Sequence, residues 1–181
     1  MYPIFSERLS IQPLGISDLD PFVEYRQDPD IARFQSWDPS YSAHQAIELI
    51  NSQFGMMIPE PGQWLQLAVH SKLNAELLGD LALHSVEQGD SVFELGFTFS
   101  KRHQGKGLAK ESVTRVMDHL SSEVGAQMFI ANTDERNASA IKLLTSLGFS
   151  NVLEKKWTEN FKNELVTVYH FQRASQIESR S

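Results

Sequence analysis

The sequence predicts an α/β (α+β) fold: a mixed, mostly antiparallel sheet of about six to seven strands flanked by about four helices. Residues 64–99 hold three strand-like runs divided by turn residues, the pattern of an antiparallel meander. The third run leads through a glycine-bearing loop and an amphipathic helix into a further apolar strand. Such a crossover makes its two strands parallel neighbours. Within the first 55 residues, one capped segment ends at a proline and another repeats its apolar side chains at helical rather than strand spacing.

Taken in order, Leu9 to Leu14 alternates and reads as the first strand. Ser17 or Asp18 caps a helix that runs to about Gln27 and stops at Asp28-Pro29. Residues 30–43 are irregular and aromatic, with Phe34, Trp37 and Tyr41. Ser42 caps a second helix to about Gly55, its apolar face formed by Ala46, Ile47, Leu49, Ile50 and Phe54. The meander strands are 64–69, 77–86 and 92–99, with turns at Asn74 and at Glu87 to Asp90. Ala109, Val113, Val116, Met117, Leu120 and Val124 trace one face of a helix that starts at Gly107. Gln127 to Asn132 is a buried strand, and Asn137 to Leu147 a helix stopped by Gly148. Two strands near 150–157 and 165–172 finish the fold. With 181 residues, 41% of them hydrophobic, the chain can bury one core, so residues 1–174 are expected as a single domain and 175–181 as a flexible polar tail.

Composition removes several classes of function. There is no cysteine, hence no disulfide, thiolate metal site or cysteine nucleophile. The six histidines and the carboxylates show no metal-ligand spacing, and no metal is expected. A net charge of −7 argues against strong nucleic-acid binding, which needs a basic face. No apolar run reaches membrane-span length, and the start lacks a secretory pattern, which leads to a cytoplasmic expectation.

Against this acidic background one loop is basic: Lys101-Arg102-His103-Gln104-Gly105-Lys106-Gly107-Leu108-Ala109. A glycine loop that opens a helix offers unpaired N–H groups at the positive end of the helix dipole, an arrangement suited to phosphate. Arg102, Lys106 and Lys110 can offset further charge. No Gly-Lys-Ser/Thr triplet is present, so the loop is not a nucleotide P-loop. Lys110 stands where a dinucleotide fingerprint needs a third small residue.

What remains is Gln104-Gly105-Lys106-Gly107-Leu108-Ala109 with Arg102 upstream, and here the chain resembles the GNAT N-acetyltransferases, whose pyrophosphate loop has the form Arg/Gln-x-x-Gly-x-Gly/Ala. The strand Phe93 to Ser100, the segment Asn132 to Phe149 and the opening Ser6 to Leu14 are similar to the RimJ/RimL-like branch, ribosomal-protein-alanine acetyltransferases. The resemblance covers roughly residues 6–172.

It implies a sheet splayed between two central strands to admit acetyl-CoA, the pyrophosphate on Arg102, His103, Gln104, Gly105, Lys106, Gly107, Leu108 and Ala109, and the pantetheine arm along the backbone of Phe97, Thr98 and Phe99. A backbone N–H there would hold the oxyanion. Asn132 and Asn137 flank the second arm of the cleft, Asn137 as a cofactor contact or as a helix cap. Glu94 shares a strand face with Val92, Gly96 and Thr98. It can take the amine proton directly or through a water, or it can anchor substrate. His84 and His170 fall on strands from which they can reach the cleft, and Trp37 is a candidate substrate wall.

Two positions depart from the family pattern. Leu144 stands where many members have an acidic tyrosine, and Ala140 where Rim-like members often have serine, with Ser139 one place earlier. The leaving thiolate is left to Ser139, to a water, or to no acid at all. The implied acceptor is a primary amine, either a protein N-terminus or a small polyamine or aminoglycoside, with the enzyme a monomer or homodimer. A noncatalytic acyl-CoA-binding module is the alternative of another class.

Overall fold

The structure is a computed structural model that describes residues 2–86 and 91–176. The expected turn at Glu87 to Asp90 and most of the expected tail, from residue 177 on, lie outside the described residues.

Among the described residues nine strands form one sheet: β1 (Ile4–Phe5), β2 (Leu9–Pro13), β3 (Trp64–Ser71), β4 (Leu77–Ser85), β5 (Val92–Phe99), β6 (Met128–Asp134), β7 (Ser150–Asn151), β8 (Trp157–Phe161) and β9 (Glu164–Ala174). They follow the order β1-β2-β3-β4-β5-β6-β9-β7, with β8 also paired to β9. Five α-helices among the described residues accompany them: α1 (Leu19–Arg26), α2 (Pro29–Ala32), α3 (Ala43–Ser52), α4 (Leu108–His119) and α5 (Ala138–Ser146). The mixed, mostly antiparallel sheet is as expected, and β5–β6 is its parallel pair among the described residues. The strand count is higher because two-residue strands carry too little alternation to read. In addition, residues 157–174 fold as a hairpin around Lys162 and Asn163, both at positive φ.

Alternation decides the layers. Leu65, Leu67 and Val69 of β3, Leu81 and Leu83 of β4, and Phe93, Leu95 and Phe99 of β5 enter one core with Val113, Val116, Met117 and Leu120 below them. Each such side chain contributes about 1.5–3 kcal/mol of burial. On the other side Phe22, Tyr25, Ala46 and Ile50, from α1 and α3, form a smaller core with Ala68 and Leu77.

The feature that positions the site is where β5 and β6 part. They pair only through Val92↔Met128, Phe93↔Phe129 and Glu94↔Ile130. Beyond that point Leu95–Phe99 stays with β4, while Ala131–Asp134 stays with β9. A wedge therefore opens inside the sheet. A strand edge facing such a wedge can pair with an extended, amide-bearing ligand.

Candidate active site

The basic loop sits at the wide end of the wedge. Lys101–His103 forms a 3₁₀ turn directly after β5, and Gln104 Nε2 ties the loop back to Phe99 O at 2.8 Å. Gly105 and Gly107 have φ of +73° and +76°, a left-handed backbone that glycine adopts without strain. Space around Gly105 is open: an added Cβ would meet nothing within 4 Å. Gly107 is the N-cap of α4 and no side chain among the described residues caps that helix, so its first N–H groups are open at the positive end of the dipole.

Most of the loop's cations are already engaged. Arg102 and His103 both reach Glu76, at 3.5 and 3.1 Å, and the His103 contact leads in holding that carboxyl below its ordinary range. Lys101 pairs with Asp28 at 3.1 Å and with Asp30. Lys106 and Lys110 are exposed and form no ion pair among the described residues. Arg8, which no local spacing announces, completes the loop. Its Nη1 donates to Lys106 O at 3.0 Å and its Nε to Glu111 Oε2 at 2.6 Å. Glu111 Oε1 accepts from Arg8 N and Ser6 Oγ. Burial raises the Glu111 carboxyl, but these three bonds outweigh it and leave the group below its ordinary value.

At the narrow end of the wedge stands a polar chain. Glu94 Oε1 accepts from Asn132 Nδ2 at 2.8 Å, and Glu94 Oε2 lies 3.3 Å from His84 Nδ1. Asn132 Oδ1 lies 2.9 Å from His170 Nδ1. His84 stacks on Trp64 with ring centroids 4.6 Å apart. The Glu94 side chain is 21% exposed, so the chain reaches solvent there. Burial, with help from the Lys155 charge, lowers the His170 pKa against the pull of Glu94.

The other candidates are placed elsewhere. Trp37 donates from Nε1 to Arg26 O at 3.1 Å, and its ring covers the buried Arg26 guanidinium at 3.6 Å. Arg26 pairs with the fully buried Asp80, which also accepts from Tyr25 and Gln66. Burial raises the Asp80 carboxyl. Asp80 faces Thr98 in the register, four residues or about 13 Å from the Glu94 position. Lys162 at the β8–β9 turn donates to Ala32 O and Trp37 O and pairs with Asp38 at 3.4 Å. Asn137 caps α5 by accepting from Ala140 N at 3.2 Å. Ser139 is exposed on the first turn of α5, and Leu144 is a core residue. Phe97, Thr98 and Phe99 follow Glu94 along the arm of the wedge, Thr98 and Phe99 with buried side chains.

Residues 8–150 match the family model for the acetyltransferase (GNAT) domain. The chain belongs to the GNAT family. It is an N-acetyltransferase, and the family's fold is one that binds acetyl-CoA. It is 26% identical over 171 residues to an uncharacterized N-acetyltransferase, p20, of Bacillus licheniformis, covering 94% of this chain and 95% of that protein. The fold is that of a GNAT-family acetyltransferase from Bacillus anthracis, at TM-score 0.83 and 19% identity over 96% of this chain and 99% of the other. It is also that of the Vibrio cholerae spermidine N-acetyltransferase in complex with CoA and spermine, at TM-score 0.79 and 18% identity over 94% and 97%.

On this GNAT frame the wedge separates two groups of side chains. Loop residues 101–109 and Arg8 lie at one end, and Glu94 with its three polar neighbours at the other. Sequence spacing finds the loop and Glu94. It does not find Arg8 or Lys162, whose partners lie 98 to 130 residues away.

Proposed function

We propose that this GNAT acetyltransferase binds acetyl-CoA in the wedge between β5 and β6 and acetylates an acceptor that presents a single amine there, a protein or peptide N-terminal α-amine of the RimJ/RimL-like kind. The chain's residues suit the cofactor: an uncapped helix N-terminus, an open backbone at Gly105 and an unpaired strand edge at Leu95–Phe99. The N–H groups of His103 and Gln104 are spent on Ser100 O and Lys101 O, so those from Gly105 to Ala109 would hold the pyrophosphate, with Lys106, Lys110 and Arg8 as the cations. Phe97, Thr98 and Phe99 would hold the pantetheine arm through their backbone. Bound there, acetyl-CoA supplies an activated thioester that a neutral amine attacks directly in a ternary complex.

The observation that carries the acceptor reading is that Glu94, among the described residues, pairs with no lysine or arginine. Asp80 is neutralised inside the Arg26–Tyr25–Gln66 cluster, and Asp38 is tied to Lys162. One carboxylate at the vertex suits one ammonium, whereas a polyamine with several charges calls for several. Glu94 takes the ammonium proton, directly or through a water, once the amine lies beside it. An α-amine, with a reference pKa of about 8, yields its proton more readily than a lysine or polyamine amine at about 10.4. Asn137 uses its Oδ1 as a cap, which leaves its Nδ2 for the cofactor. Exposed Ser139 or a water would meet the leaving thiolate. The net charge of −7 favours a second reading, a small polyamine acceptor attracted over longer range.

Mass spectrometry of acetylated products from a mixture of N-terminal peptides, spermidine and an aminoglycoside tests the choice. A kcat/KM for a peptide at least about tenfold above the small amines, about 1.4 kcal/mol of discrimination, is expected. Turnover confined to spermidine would reject it.

A further inference from the structure

We propose that His170 is a positioning residue for acetyl transfer: by donating from Nδ1 to Asn132 Oδ1 it pins the Asn132 amide whose NH₂ holds Glu94. The kinetic part of this inference rests on the reading of Glu94 given above, while the part that concerns hydrogen-bond direction does not.

The direction follows from which groups can donate. A carboxylate has only acceptor oxygens, so the amide end that meets Glu94 at 2.8 Å is the NH₂ of Asn132. The amide oxygen then faces the other way, onto His170 Nδ1 at 2.9 Å. Asn132 and His170 are directly paired in the β6–β9 register, so both side chains stand on the same face of the sheet. An oxygen acceptor requires a proton on Nδ1. In a neutral imidazole this leaves Nε2 as a bare lone pair.

The surroundings of Nε2 agree. It is buried and has no hydrogen-bond partner among the described residues, and His170 as a whole is only 9% exposed. A proton on Nε2 would be a buried donor with nothing to accept it. The opposite tautomer would make two errors together: a lone pair against the Asn132 oxygen and an orphaned N–H at Nε2. The interior around Nε2 therefore selects the Nδ1–H form, and this form orients Asn132.

Glu94 depends on that orientation because the strands have already parted. Past Ile130 no backbone pair joins β5 to β6, and Asn132 is the side chain of β6 that reaches back to the carboxylate. With His170 removed, the amide oxygen loses its partner, and Asn132, now held only through its bond to Glu94, can swing from the vertex and take the carboxylate with it. His84, held by its stack on Trp64, anchors only the other oxygen. A residue that does not itself meet the substrate thus sets the aim of the group that does.

Two variants separate this role from packing. His170→Phe keeps a ring and loses the donor. His170→Asn returns an amide nitrogen close to the Nδ1 position. Thiol release is followed with acetyl-CoA and an alanine-terminated peptide, or spermidine if the peptide is not turned over. Misplacing a reacting group can cost up to about 100-fold. The Phe variant should lose roughly 10- to 100-fold in kcat with its acetyl-CoA Kd within about threefold of wild type, and the Asn variant should recover most of that loss. Equal losses in both variants, or none in the Phe variant, would overturn the proposal. Independently of any acceptor, long-range imidazole ¹H–¹⁵N spectra of the ¹⁵N-histidine-labelled wild-type enzyme should show His170 protonated at Nδ1. A proton at Nε2 instead would overturn it even if the Phe variant failed to fold.

Discussion

Asn132 and Glu94 stand on the two strands that separate at the wedge, and Asn132 Nδ2 still donates to Glu94 Oε1 across 2.8 Å. The backbone opens at this vertex while the side chains remain joined. Strand edges beyond it are released for a ligand, and a carboxylate is held where they begin to diverge. Both consequences come from one change of partner, since β5 stays with β4 and β6 with β9.

At the other end, Gly107 combines φ of +76° with the N-cap of α4. Gly107→Asp adds a negative charge where the pyrophosphate is proposed to lie. We expect acetyl-CoA to bind at least about 100-fold more weakly by calorimetry, a loss of about 2.7 kcal/mol. Gly107→Ala, which adds only backbone strain, should cost clearly less. Undiminished affinity in the Asp variant would remove the loop from the site.

The clamp between Arg8 and Glu111 gives the fold an acid-sensitive contact. The folded pKa of Glu111 lies below its ordinary value, so its stabilisation is fully present above about pH 4.3 and is lost as pH falls through the folded value. Glu111→Gln lacks that proton linkage. Melting temperatures measured from about pH 6 to about pH 3 should show wild type above the variant at the upper end, with the gap closing toward the lower end. A gap constant with pH would contradict the role given to this carboxylate.

Gly79 of β4 packs against β5 at the wide end of the wedge. A Cβ there would lie 2.3 Å from Thr98 O and 2.8 Å from Phe99 Cα, both backbone atoms of β5. Neither can move without shifting the strand. Gly79→Ala should therefore lower unfolding stability by about 3 kcal/mol or more in denaturant titrations, at the upper end for overpacking. A change below about 1 kcal/mol would show that β4 and β5 have more freedom than this packing allows.

Local patterns made much of this fold legible, and distance hid the rest. Alternation marks β5 at Val92–Phe99, and Ser42 with Gln45 caps α3 through a box of reciprocal bonds. Asp28-Pro29 reads as a helix stop, yet the same pair starts α2, with Asp28 as cap and Pro29 in its first turn. The β8–β9 hairpin turns through Lys162-Asn163 without a glycine, so the usual hairpin signal is missing. Glu94 stands out because a carboxylate occupies an otherwise small or apolar strand face. Its ties to Asn132 and, through it, to His170 each join residues 38 apart, and no spacing rule reaches that far.

The most direct test of the account is Glu94→Gln, with acetyl-CoA binding by calorimetry and peptide-dependent thiol release measured on the same preparation. Loss of a positioned base costs about 10²- to 10⁴-fold. We expect an acetyl-CoA Kd within about threefold of wild type and a kcat at least about 100-fold lower. Wild-type turnover in the variant would contradict it.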